Sequence, residues 1–266
     1  MFQALFTQPL YNILILIYAV IPVHDLGVAI ILITILIRII LWPFQSKQFH
    51  SQKAMQKLQP EIAKVRKKAK GDKAKESQML MELYREKEIN PFGACLPSLI
   101  QFPFMIALFL LFRSWLDIEH IKEFTYSFVQ NLSFVKNVVS DPSLFSSKFL
   151  GFLDLSLPNK ENTITNLAWF YYILPLMAGI LQFVQSKMLV PKQQDQTQKM
   201  MSQMMYIFPL MIIFFGATLP MALSLFWVVS TAIAVLQQYL IMHKDIEIIE
   251  KVFNRRENKL NKKGGK

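Results

Sequence analysis

The 266-residue sequence has one cysteine, Cys95, and only eight glycines. A single cysteine excludes a disulfide framework and a cysteine-based metal cluster. Four histidines (His24, His50, His120, His243) show no HExxH or other ligand spacing, so no metal or other cofactor is expected. No acid, His or Ser constellation lies near the end of an apolar run, which argues against an enzyme. The N-terminus lacks a basic n-region and a small-residue cleavage site, so Met1–Val23 does not read as a signal peptide. The largest absence is charge itself, which is missing from long stretches of the chain.

What is there is apolar. Hydrophobic residues make up 53%, including 22 Phe, and the mean hydropathy is +0.32. The net charge of +11 is confined to blocks that alternate with uncharged runs. That layout is the one of a polytopic membrane protein. A helix needs about 20 apolar residues to cross a hydrocarbon core of roughly 30 Å. Leu26–Phe44 is a run of 19 residues whose only charge is Arg38. Pro91–Phe112 has no charge over 22 residues, and Asn162–Ser186 is also uncharged. Met200–His243 has no Lys, Arg, Asp or Glu over 44 residues. As one helix that run would measure about 66 Å, so it must fold back, and Gly216-Ala-Thr-Leu-Pro220 is the turn-like stretch near its middle.

The expected fold is therefore an all-α polytopic membrane protein with five transmembrane helices, at 24–44, 91–113, 167–187, 204–216 and 219–241. The fourth is short, which implies local thinning of the bilayer or an extension through Met200–Gln203. Loop charge sets the orientation. Segment 45–90 carries a net +6, 114–166 together with Arg113 carries −1, 188–203 together with Lys187 carries +2, and the tail 242–266 carries +4. The N-terminus is then outside, and the three basic segments lie in the cytoplasm. The apolar part of 1–23, Leu10–Val23, has only 14 residues, which favours an interfacial helix over a sixth span.

Between the spans, Met55, Leu58, Ile62, Val65 and Ala69 form one helical stripe. Gly71-Asp72 breaks it, and Met79, Leu80, Leu83 and Tyr84 supply a facing stripe, so 45–90 reads as a helical hairpin. It is either a solvated arm resting on lipid head groups or an arm that meets a client. The Phe-rich outer segment 114–166 shows no chemistry, only short helices that could rest on the membrane. The tail reads as an anchor on anionic lipid, or as a contact with ribosomal RNA phosphates.

Arg38 is the anomalous charge. Burying it in a bilayer costs at least about 2.5–3.5 kcal/mol. From Leu26 to Phe44 and in the apolar runs of the other spans there is no Asp or Glu to pair with it. It either snorkels to the head groups or faces a wet cavity open to the cytoplasm. Candidate lining residues are Thr34, one turn earlier on the same face; Ser98 and Gln101; Gln182 and Gln185; and the stripe Ser224, Trp227 and Thr231. Singly, each could be a helix–helix contact. Pro97 and Pro103 bracket Gln101 and predict a kink. The Met cluster at Met200, Met201, Met204 and Met205 supplies adaptable apolar packing.

Several stretches occur together and in order: Gln8-Pro-Leu-Tyr11; Ile30–Pro43 with its Arg; Leu58-Gln-Pro-Glu-Ile62; Leu83-Tyr84; Asn90-Pro-Phe-Gly-Ala-Cys-Leu-Pro-Ser-Leu-Ile-Gln-Phe-Pro103; Tyr171-Tyr-Ile-Leu-Pro175; Phe208-Pro209; Leu225-Phe-Trp-Val-Val-Ser230; and Gln237-Gln238. In this the chain resembles the YidC family of membrane-protein insertases, relatives of the Oxa and Alb proteins. The resemblance implies five helices around a hydrophilic groove that is open to the cytoplasm and to lipid and closed outside. It implies Arg38 as the groove charge, Gln182 as a polar groove residue and Trp227 as a lining aromatic. It places an amphipathic outer helix on 1–23 and a mobile cytoplasmic loop on 45–90. Neither the large outer domain of many Gram-negative members nor the lipobox cysteine of many Gram-positive ones is seen, so either a short bacterial-type member or a trimmed piece of a longer one is expected. The outer loop is longer than in many members, around Lys122–Lys148.

The expected function is insertion and folding of membrane-protein clients in the bacterial plasma membrane, without covalent chemistry. Nascent clients and membrane lipids are the expected partners, with the Sec translocon and the ribosome as further ones the resemblance brings in. The rivals are a small-molecule transporter or channel and an assembly chaperone without insertion activity. The chain shows no repeated halves or paired broken helices, which weighs against the transporter.

Overall fold

The computed structural model describes residues 2–87, 96–113, 123–156, 171–189 and 196–241, with side chains for all of these except 96–102, 113, 142, 189 and 196–205. The described residues are mostly helical. A π-helical turn at Gln3–Thr7 runs into α1 (Gln8–Val20). There follow α2 (Leu26–Ala69), α3 (Lys73–Glu86), α4 (Leu96–Arg113), α5 (Ser127–Gln130) and α6 (Ser133–Ser140). Two short antiparallel strands, β1 (Lys148–Phe149) and β2 (Leu153–Asp154), pair Lys148 with Asp154 and Phe149 with Leu153. Then come α7 (Ile173–Leu189), α8 (Gln196–Thr218) and α9 (Met221–Ile241). By length and composition, the helical stretches Gln3–Val20, Leu26–Ala69 and Met221–Ile241 are long and apolar enough to cross a membrane. Pro103–Phe112, Ile173–Met188 and Tyr206–Thr218 are shorter apolar helices.

Two compact units are formed, Met1–Leu41 with Leu96–Ile233, and Trp42–Cys95 with Ala234–Lys266. In the first, α1 buries Leu10, Tyr11, Leu14, Ile15 and Tyr18, and α2 buries Leu26, Ala29, Ile30, Ile33 and Ile37. Each set recurs at helical spacing on one face. Ala107, Leu108, Leu111 and Phe112 of α4 join the same core, with Met221, Ala222, Leu225 and Phe226 of α9. The other face of α2 is no less apolar: Leu32, Ile35, Leu36 and Ile39 are exposed. A helix that is hydrophobic all round needs protein on one side and lipid on the other. Between α7 and α8 the packing is close, since a Cβ on Gly179 would lie 2.3 Å from Cγ1 of Ile213.

Segment 123–156 is fastened to this core by polar side chains. Asn12 of α1 is buried and donates to the carbonyls of Gln8 and Phe124 at 2.7 and 2.8 Å, while its Oδ1 accepts from the Tyr126 N–H at 2.7 Å. The Tyr18 hydroxyl donates to the Ser146 carbonyl and accepts from the Ser146 N–H. Asp25 opens α2 by accepting from the Val28 N–H at 3.0 Å, and its other oxygen accepts from the Leu150 N–H at 2.7 Å. The Ala222 N–H, an otherwise orphan donor in the first turn of α9, donates to Leu155 at 3.0 Å. The β1–β2 turn is closed by the Phe152 N–H donating to Phe149, with Leu150 and Gly151 at φ 53 and 80. Glycine adopts that region freely, whereas a leucine there costs about 1–2 kcal/mol.

In the second unit, the stripe read from the sequence packs as a hairpin. Leu58 and Ile62 of α2 meet Leu83 of α3, with Val65, Leu80 and Tyr84 around them. The chain reverses through Lys70 and Gly71, both at positive φ. Asp72 then caps α3, its carboxylate accepting from the N–H groups of Ala74 and Lys75 at 3.0 and 3.1 Å. Arg66 pairs with Glu76 at 2.9 Å and Lys87 with Glu61 at 3.1 Å. Burial pushes the Tyr84 phenol above its ordinary pKa, while nearby Arg66 pulls it down. The core here is small, so the cap matters: Asp72→Ala is expected to cost about 1 kcal/mol, read as faster amide exchange across α3 than across α1.

Two boundaries differ from the sequence reading. No break separates the expected 24–44 span from the hairpin, because α2 runs on as one helix of 44 residues through Pro43 and Pro60. A proline deletes one backbone bond, and here the flanking turns carry the helix across it. The expected loop 188–203 is helical from Gln196, so α8, at 23 residues, is much longer than 204–216. Within segment 1–23 the helical stretch covers 18 residues, Gln3–Val20. The fold-back near 216–220 sits at Leu219-Pro220, between α8 and α9. Residues 157–170 and the basic tail 242–266 lie outside the described residues.

Candidate functional site

The site is built on α9, whose polar residues fall on a recurring face. Ser224, Ser230, Thr231, Gln237 and Gln238 are all buried. Seven residues separate Ser224 from Thr231, Thr231 from Gln238, and Ser230 from Gln237, two turns of helix each. A buried polar stripe on an otherwise apolar helix needs partners. The Ser224 hydroxyl donates to the Gly216 carbonyl at 3.1 Å, so it closes the α8–α9 turn. Gly216 has no room for a side chain there, since a Cβ would meet the Ser224 Oγ at 2.9 Å. Gln237 donates to the Trp42 carbonyl and to the Ser46 Oγ, both at 3.3 Å, while its own Oε1 is buried with no hydrogen-bond partner among the described residues. The Gln45 Oε1 is buried in the same condition.

Ser230 receives Arg38. Both Nε, at 3.0 Å, and Nη2 of the half-buried guanidinium donate to its Oγ. Among the described residues Arg38 makes no ion pair. A hydrogen bond from a charged donor is worth about 1.5–3 kcal/mol. At bilayer depth the cost of the charge is at least about 2.5–3.5 kcal/mol. One neutral hydroxyl therefore orients the guanidinium without neutralising it. Chemically the arrangement can hold a fixed positive charge ready for an anionic or strongly polar group.

The other residues expected at the site divide. Thr34 is fully buried and donates to the Ile30 carbonyl of its own helix at 2.6 Å. Thr231 is buried beside Ser230, and Trp227, half-buried, packs against the core one turn away. Gln182 and Gln185 are half-buried on α7, and no described contact links either to Arg38. The side chains of Ser98 and Gln101 lie outside the described residues. Sequence reasoning did not single out Ser230 or Asn12. Ser230 was adjacent to the chosen stripe, but the pairing of α2 with α9 that selects it is tertiary. Asn12 carried one signal, an amide inside an apolar run.

The model of the 60Kd inner membrane protein family matches residues 16–248 of this chain. The membrane protein insertase YidC of Fusobacterium nucleatum subsp. nucleatum is 36% identical over 222 residues, covering 84% of this chain and 88% of that protein. The membrane protein insertase MisCA of Bacillus subtilis is 34% identical over 226 residues, covering 83% and 72% respectively. YidC of Syntrophobacter fumaroxidans is 35% identical over 216 residues, and there the match spans 34% of the relative's length. With a match over most of its length and this degree of identity, the chain belongs to the 60Kd inner membrane protein family, that of the YidC-type proteins.

Proposed function

We propose that this protein is a membrane-protein insertase and folding chaperone of the bacterial inner membrane, working without covalent chemistry. The observation that carries the reading is Arg38, held by Ser230 and unpaired with any carboxylate among the described residues. Five helices, at 24–44, 91–113, 167–187, 204–216 and 219–241, span the bilayer around a groove open to the cytoplasm. The helix within 1–23 lies at the outer interface, and the N-terminus is outside. Arg38, Gln182, Gln185 and Trp227 face the groove, with Ser98, Gln101 and Thr231. Thr34 and Ser224, whose hydroxyls are used within the bundle, hold its walls.

A client helix with a short, often acidic, outer tail arrives from the cytoplasm. Its tail meets the wet groove and the guanidinium instead of hydrocarbon. The apolar helix then leaves sideways into lipid, and burial of its surface drives the step. A membrane potential, positive outside, assists an acidic tail by about 2.3 kcal/mol per charge per 100 mV. The hairpin 45–90 and the tail 242–266 receive clients on the cytoplasmic side, alone or beside the Sec translocon and ribosome. The test is reconstitution of the purified chain in vesicles with a single-span client. Protection of the client's tail from added protease is the expected result. Solute flux without such protection would instead mark a transporter.

A further inference from the structure

The β1–β2 turn displays apolar side chains where turn chemistry favours polar ones. Leu150 and Phe152 are 64% and 51% exposed. Leu150 occupies a positive-φ turn position that Gly fills at no steric cost and that Asn or Asp tolerates better than leucine. The strain is held in place by the Asp25 carboxylate accepting from the Leu150 N–H. Beneath, Phe149 lies over Gly27, where a Cβ would come within 2.1 Å of its ring. The turn is thereby fixed at the first residues of α2. Val23, two residues before the Asp25 that holds Leu150, is 78% exposed, and Val20, the last residue of α1, is 79% exposed. Farther along α2, Leu32, Ile35, Leu36 and Ile39 are exposed as well. Lys148, one residue before Phe149, is exposed and carries the charge that suits a lipid phosphate.

We infer that the Leu150-Gly151-Phe152 tip, with Val20 and Val23, is an anchor that enters the lipid interface of the outer leaflet. This rests on the membrane placement proposed above. The helix that starts beneath the turn, α2, also carries exposed apolar residues, and an apolar tip flanked by a basic residue is a composition that partitions into a head-group region. A strained leucine at a turn tip is otherwise unfavourable, and its side chain touches water unless lipid covers it. The tip thus fixes the depth at which α2 begins.

The experiment places a nitroxide at Phe152→Cys, in a Cys95→Ala background, in lipid nanodiscs. Reference labels go at Asn137→Cys, on the exposed side of α6, and at Ile39→Cys, among the exposed apolar residues of α2. Collision with oxygen and with a water-soluble nickel chelate is compared. The label at 152 is expected to favour oxygen several-fold over that at 137, and Leu150→Asn to lower that preference without lowering the thermal midpoint. Nickel access at 152 equal to that at 137, with oxygen still favoured at 39, would overturn the anchor and leave the membrane placement standing. Nickel access at 39 as well would overturn the placement itself. Low collision with both reagents at 152 would mean a protein cover, a second copy included, and would overturn the lipid assignment. A preference unchanged by Leu150→Asn would remove Leu150 from the anchor.

Discussion

Arg38→Leu is expected to leave the fold standing while insertion of clients with acidic tails falls by an order of magnitude or more. The two stability terms nearly cancel. Removing the charge relieves at least about 2.5–3.5 kcal/mol of burial cost in a bilayer. Losing the bond to Ser230 gives back about 1.5–3 kcal/mol. A thermal midpoint in detergent within a few degrees of the parent, together with the loss of tail protection in vesicles, separates function from folding. Arg38→Lys keeps the charge and is expected to retain most activity, since a point charge suffices to attract a carboxylate. Clients with uncharged tails are expected to be least affected. If the Leu variant slowed every client equally, the guanidinium would not be acting on the tail.

Asn12→Leu has the opposite profile, a large stability effect with no direct role in the groove. Asn12 satisfies the Phe124 carbonyl and the Tyr126 N–H at the start of segment 123–156. A leucine of similar volume withdraws the amide from both, at about 1–3 kcal/mol each, or roughly 2–6 kcal/mol together. Much of that is a large fraction of a typical domain's total stability. Denaturant unfolding in detergent measures the loss, and proteolysis within 123–156 of the folded variant shows where it falls. A variant as stable as the parent would mean that water replaces the amide and that the segment is not held by it.

How much of this was legible in the sequence depends on whether a signal is local. The Met55-to-Ala69 stripe and Gly71-Asp72 specified the hairpin because an amphipathic helix and its stop are written in consecutive residues. The turn between α8 and α9 was legible because a run of that length cannot be one span. The start of α8 was not. Gln196–Gln203 is polar, so hydropathy loses it, yet helix propensity carries on through Gln, Lys and Met. Arg38 stood out by its cost, but its bond to Ser230 did not, because 192 residues separate the two. The continuity of α2 through Pro43 was not legible either, since hydropathy ends the apolar run at Phe44 while the helix itself goes on. Segment 123–156 looked featureless because the groups that order it, Asn12, Tyr18 and Asp25, sit in another part of the chain.

That separation governs how the molecule comes into being. Asn12 finds Phe124 across 112 positions of chain. At a translation pace of about 5–20 residues per second, the amide waits roughly 5–25 s for its mate to be made. Throughout that interval the first helix is in the cell with a buried-to-be polar group still thirsty for hydrogen bonds.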